Sequence, residues 1–308
     1  MKKESYLGHI STFGKLLFLF GIVILSAIVS AMVGLLVGSL FFGVDMASLA
    51  EIVSNPQSDK DIAFVKFYQL INQLGVFILP VLFYSFFVSS SPGNYLLLNK
   101  RPNTTNLILL GMVVFTILPF INFLGEINQN LTLPEAFSGI EIWMLEKEDQ
   151  ARHLTEIFLK TNTISGLLVN LFIMALVPAL GEELLFRGVL LRLFKEMTKN
   201  AHLAVFISAF LFAAIHFQFY GFLPRFFLGI ILGYSFVITQ NLWVPIFIHF
   251  VNNAASVIVF FLHHNGFIKI PMEDFGSTPH TAYIIGSLLI STWLMILVSQ
   301  REGPHRVG

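Results

Sequence analysis

The feature that most limits this chain is its succession of long apolar runs. Residues 16–44 carry no charged side chain, and a helix that crosses a hydrocarbon core of about 30 Å needs about 20 mostly apolar residues. Comparable runs follow at 64–88 (Lys66 lies near its start), 107–124, 164–193, 203–219, 226–239, 244–262 and 283–299. This pattern predicts an all-α, polytopic integral membrane protein of about eight transmembrane helices. Composition agrees. Only 12% of the 308 residues are charged, against about a quarter in soluble domains. The 34 phenylalanines and 22 glycines suit lipid contact and close helix packing. Eighteen basic residues balance eighteen acidic ones, so no basic field is offered to nucleic acid. The absence of cysteine excludes disulfide frameworks, iron–sulfur ligation and thiol catalysis.

The first run is too long for a signal-peptide core and is expected to be retained. With both termini cytoplasmic, eleven lysines and arginines, from Lys2 and Lys3 to Arg301 and Arg306, face the inside and seven the outside. The positive-inside rule favours that orientation. Residues 131–159 mix Trp143, Leu145, Ile157 and Phe158 with Glu141, Glu146, Glu148 and Asp149. They read as one or two amphipathic helices on the outer interface. Residues 264–280, with Gly266, Pro271, Gly276 and Pro279, read as a loop. Four parts are therefore expected: 1–125 with three N-terminal helices, 126–162 as the amphipathic segment, 163–263 as a core, and 264–308 as loop, last helix and tail.

A charged group at the bilayer centre costs at least roughly 2.5–3.5 kcal/mol, so polar residues inside the runs are informative. Three clusters stand out: Glu182, Glu183 and Arg187; Phe212 and His216; and His249, Asn252 and Asn253. Glu183 and Arg187 are four apart on a helix and can neutralise each other, which a purely structural ion pair would explain. Glu182 is rotated about 100° away and has no such local partner. His249 and Asn253 share a helical face. Straight-helix arithmetic puts Glu182 about 20 Å above Lys195 and His216 about 22 Å above Ala201, a similar depth from a shared hairpin. Pro178 is expected to open its helix and Pro245 to start one. Phe212, one turn before His216, is expected to pack rather than react.

A carboxylate beside an imidazole can polarise water and pass its proton to a leaving amine. A histidine and an asparagine on one face can stabilise an oxyanion. These are the parts for peptide hydrolysis without a covalent intermediate. A Glu, His, His set also suits catalytic zinc, though the HExxH spacing is missing, and the sequence leaves both mechanisms open. Carboxylate–histidine chains also serve proton or ion pathways, but the repeated halves common in transporters are not seen.

The three motifs, Glu182-Glu183-x-x-x-Arg187, Phe212-x-x-x-His216 and His249-x-x-x-Asn253, resemble those of the CPBP intramembrane proteases. That group holds the CAAX prenyl endopeptidases and their bacterial bacteriocin-processing or immunity relatives. The resemblance covers residues 164–262, and 217–225 is similar to the form found in bacterial members. It implies an intramembrane endopeptidase in which Glu182 activates water with help from His216. His249 and Asn253 would stabilise the oxyanion, with Glu183, Arg187 and Phe212 in support. A metal, if one is used, would be zinc on Glu182, His216 and His249; glutamate-activated water is the favoured mechanism. The implied partners are the lipid bilayer and a membrane-associated protein or peptide substrate, with no nucleic acid. The implied location is a bacterial inner membrane. A non-catalytic, immunity-type peptide binder is the other function consistent with the resemblance.

Overall fold

A computed structural model of the chain describes residues 5–45 and 47–303. Lys2, Lys3 and Arg306 therefore lie outside the described residues. Among the described residues every regular element is a helix, and there is no strand. Five helices are α1 (Thr12–Phe42), α2 (Leu49–Ser54), α3 (Asp59–Val88), α4 (Pro92–Tyr95) and α5 (Thr104–Thr116). Then come α6 (Leu118–Gln129), α7 (Ser138–Leu159), α8 (Ile164–Thr198) and α9 (Ala201–Ala214). The last three are α10 (Phe222–Thr239), α11 (Trp243–His264) and α12 (Thr281–Glu302). Six apolar helices are long enough to cross a membrane, and α5 with α6, bent by 42° at Ile117 before Pro119, forms a seventh candidate. The eighth apolar run is the shorter α9.

Local sequence explains most boundaries. Ser58 and Asp61 form a reciprocal capping box at the start of α3. Asn103, Thr163 and Asn200 each accept a backbone N–H in the first turn of α5, α8 and α9. Lys199 and Gln240 take left-handed backbone angles where α8 and α10 end. Pro178 opens α8 without breaking it. The turn Leu171–Leu176 just before it widens to π geometry, with Val177 N–H reaching Phe172 O. A second widened turn, Leu184–Leu190, starts directly after Glu183; such turns often mark functional positions.

The run 203–219, expected to cross fully, ends as helix at Ala214. Fourteen residues reach only about 21 Å. The chain then turns through residues 215–218 and a single 3-10 turn, Phe219–Gly221, irregular backbone that must find partners inside the protein. Asn128 of α6 ties this stretch to the first turn of α10, donating to Phe219 O (2.9 Å) and accepting from Leu223 N (2.7 Å). Glu148 of α7 accepts from Tyr220 N at 3.2 Å.

The amphipathic segment is one helix, α7, preceded by a short 3-10 turn. Its first half rests on Phe219 through Trp143, ring centroids 5.2 Å apart. Its C-terminal carbonyl, Leu159 O, accepts from Asn170 (3.1 Å), which itself accepts from Lys66 Nζ (2.8 Å). At the opposite end of the bundle, Asn106 joins α5 to α12 by accepting from Arg301 (3.0 Å) and donating to Glu302 (2.7 Å). Outer faces of α1 and α12 leave Leu25, Met32, Leu40, Leu289 and Trp293 exposed, as lipid-facing surfaces should.

Candidate active site

The polar residues singled out by sequence lie on α8, on α11 and just beyond the end of α9. Gly181 lets α8 approach α3, because a Cβ there would stand 2.9 Å from Phe77 Cβ and 3.2 Å from Ile78 Cγ1. The next residue, Glu182, is buried, and so are Glu183, Arg187 and His249. His216 is half-buried.

Glu183 occupies a junction. Its Oε1 accepts from Arg187 Nη1 at 2.7 Å and from His249 Nδ1 at 2.9 Å. Arg187, fully enclosed, also donates to Gly229 O on α10 (2.9 Å) and lies over the Phe212 ring at 4.7 Å. One ion pair thus joins α8, α9, α10 and α11. The expectation of a purely structural pair is incomplete, because Glu183 also fixes an imidazole. Phe212 packs as expected, its ring edge-on to His216 (5.2 Å) and His249 (5.6 Å). Its carbonyl does more, taking His216 Nδ1 at 2.8 Å.

These contacts decide the tautomers. A carbonyl only accepts, so His216 Nδ1 carries the proton and the neutral ring keeps its lone pair on Nε2. His249 Nδ1 likewise donates to the Glu183 carboxylate. Both Nε2 atoms then face the same oxygen: Glu182 Oε2 stands 4.0 Å from that of His216 and 3.9 Å from that of His249. That oxygen is buried without a hydrogen-bond partner among the described residues.

The gap suits a water molecule. Hydrogen bonds of about 2.8 Å to atoms 4.0 Å apart meet at roughly 90°. A metal fits less well. The donors have zinc character, each imidazole having its far nitrogen tied down. Ligands around tetrahedral zinc at about 2.0–2.1 Å, however, lie about 3.3–3.4 Å apart. Among the described residues no group of three His, Cys, Asp or Glu is placed to hold a metal ion. As they stand, these side chains do not fit zinc.

Asn253 lies one turn beyond His249 on α11, and its Oδ1 accepts from Asn252 Nδ2 at 3.2 Å. No contact joins it to Glu182 or His216 among the described residues; its place near the site follows from the helical face shared with His249. The first half of the chain also contributes, which the sequence reading missed. Gln73 of α3 approaches the Glu182 carboxylate, and Asn128 holds the stretch after His216. The signal was present as uncharged amides within apolar runs.

Residues 164–255 match the family described as type II CAAX prenyl endopeptidase Rce1-like. This segment therefore carries a domain of the CPBP/CAAX protease family, a family of peptidases. The match takes in under a third of the chain and includes all three motifs. No curated protein and no solved structure matches the chain.

Proposed function

We propose that the protein is an intramembrane endopeptidase that hydrolyses a peptide bond of a membrane-associated substrate with water activated by Glu182. The observation that carries this reading is the convergence of Glu182 Oε2 with the two Nε2 atoms of His216 and His249 at 3.9–4.0 Å. Water between Glu182 and His216 donates one hydrogen to each and turns a lone pair toward the scissile carbonyl. Glu182 takes the proton as the water oxygen bonds to the carbonyl carbon, and later passes it to the departing amine. His249, its Nδ1–H held by Glu183, donates from a protonated Nε2 to the oxyanion, and Asn253 adds an amide N–H.

In this reading residues 163–263 form the catalytic core, 1–125 and 264–308 flank it, and 126–162 lies on the outer interface. Both termini are cytoplasmic, and the membrane is a bacterial inner membrane. The test compares protein termini in membranes from cells carrying wild type or Glu182→Gln, which keeps volume but removes the base. Termini present with wild type and absent with Glu182→Gln are expected. Identical terminal profiles, with both proteins folded in the membrane, would overturn the proposal.

A further inference from the structure

Beside the Glu182 centre, α3 and α7, with Val53 of α2 and Met174 of α8, line an open cavity of about 360 Å³. Its walls are mostly apolar, among them Val65, Phe77, Leu154, Phe158 and Met174. Three carboxamides interrupt them: Gln69, Asn72 and Gln73. Spacings of three and four residues put the three on one face of α3. Gln69 and Asn72 are half-buried, with amide groups that are not sealed off from the cavity. Gln73 lies beside Glu182, and its Oε1 is buried and unpartnered. A buried amide oxygen without a partner is costly in a membrane interior, and Gln73 carries one beside the two further amides. Such a row is explained by a ligand that brings its own donors and acceptors.

We propose that this cavity is a subsite for an extended polypeptide, the stretch of substrate beside the scissile bond, recognised through its backbone. The inference rests on the proposed role of Glu182. A peptide seated here needs partners for each N–H and C=O that it withdraws from water, and a carboxamide offers both a donor and an acceptor. Gln69 and Gln73 are one turn apart, about 6 Å along the helix. That is close to the two-residue repeat of an extended strand, about 6.6–6.8 Å. The two side chains therefore match alternate peptide groups, with Asn72 between them. Gln73 Oε1 accepts the N–H nearest the reacting bond. Apolar walls accept side chains of any apolar shape, so selectivity comes from an extended backbone rather than from one residue type.

The test measures binding separately from cleavage. Short fluorescent peptides with apolar side chains are titrated onto the full-length Glu182→Gln protein in lipid nanodiscs. Gln69→Leu and Asn72→Leu are each added to that background. Each added change is expected to weaken binding by roughly five- to tenfold. Peptides with one backbone amide replaced by an ester probe the same bonds in unaltered α3. One ester position is expected to weaken binding to the Glu182→Gln parent and have no further effect once Asn72 is Leu. No peptide binding, binding indifferent to the added leucines, or ester effects that persist in the variants would overturn the subsite. Were the amides only a path for water, binding would likewise be unmoved and the subsite would fall. Amide-dependent binding by a protein whose wild type cleaves none of these peptides or any membrane protein would uphold the subsite and overturn the protease reading.

Discussion

Glu183→Gln isolates what the buried ion pair does. The substitution preserves shape but removes the negative charge that faces Arg187 at 2.7 Å and His249 at 2.9 Å. Both partners of the ion pair have no exposed side-chain surface, so solvent does not relieve the orphaned guanidinium. Arg187 is left with neutral acceptors, the new amide oxygen and Gly229 O, and the Phe212 face. Removing one member of such a pair costs about 3–5 kcal/mol, equivalent to roughly a 150- to 5,000-fold fall in the folded-to-unfolded ratio. Reversible unfolding in mixed micelles, followed by tryptophan fluorescence, reads this loss. A companion variant, Glu183→Met with Arg187→Met, buries no charge and is expected to recover most of the stability, because an apolar replacement of a buried pair is often neutral. It does not restore the acceptor for His249 Nδ1, so peptide cleavage stays down by about a hundredfold or more. Stability of Glu183→Gln within about 1 kcal/mol of wild type would refute the argument. So would a double variant that cleaves normally, since His249 would then need no orientation by Glu183.

Further expectations follow from single contacts. Asn128→Ala leaves Phe219 O and Leu223 N without their partner, a loss of about 1–3 kcal/mol for each buried group left unmade; hydrogen exchange should speed at Leu223, and unchanged exchange would count against the clamp. Gly181→Ala places a Cβ 2.9 Å from Phe77 Cβ and should cost about 1–3 kcal/mol by forcing α3 and α8 apart, read as a lower unfolding midpoint; an unaltered midpoint would mean the helices have slack there. Prolonged chelation should leave cleavage unaffected, since the 3.9–4.0 Å spacing around Glu182 suits water; loss of activity reversed by added zinc would show that the three side chains close around a metal.

The membrane architecture could be read from sequence because lipid enforces it: a backbone without water must be helical, and its length is fixed by bilayer thickness. The sites on α8, α9 and α11 stood out because charge in such helices is rare. The contributions of α3 and α6 were harder to see, since Gln73 and Asn128 are uncharged and their partners lie far away in sequence. Straight-helix geometry also missed the two widened turns of α8 and the early end of α9. These local changes place His216 on a turn held by α6 and α7 instead of inside a complete span.

One consequence of helical rotation was visible only in part. Glu182 and Glu183 are neighbours about 100° apart on one helix, and the sequence reading separated them as unpaired and paired. In the structure they address opposite nitrogens of the same ring. Glu183 meets His249 Nδ1 at 2.9 Å, whereas Glu182 stands 3.9 Å from Nε2. The short contact fixes the imidazole and holds its near proton in place. The long one is too wide for a direct hydrogen bond and leaves room for a third party between acid and ring. Two identical side chains thus acquire different work from position alone, and exchanging their environments would abolish both roles. This glutamate pair is therefore best understood through the imidazole it brackets, with one carboxylate setting orientation and the other, in the proposed reaction, taking the proton.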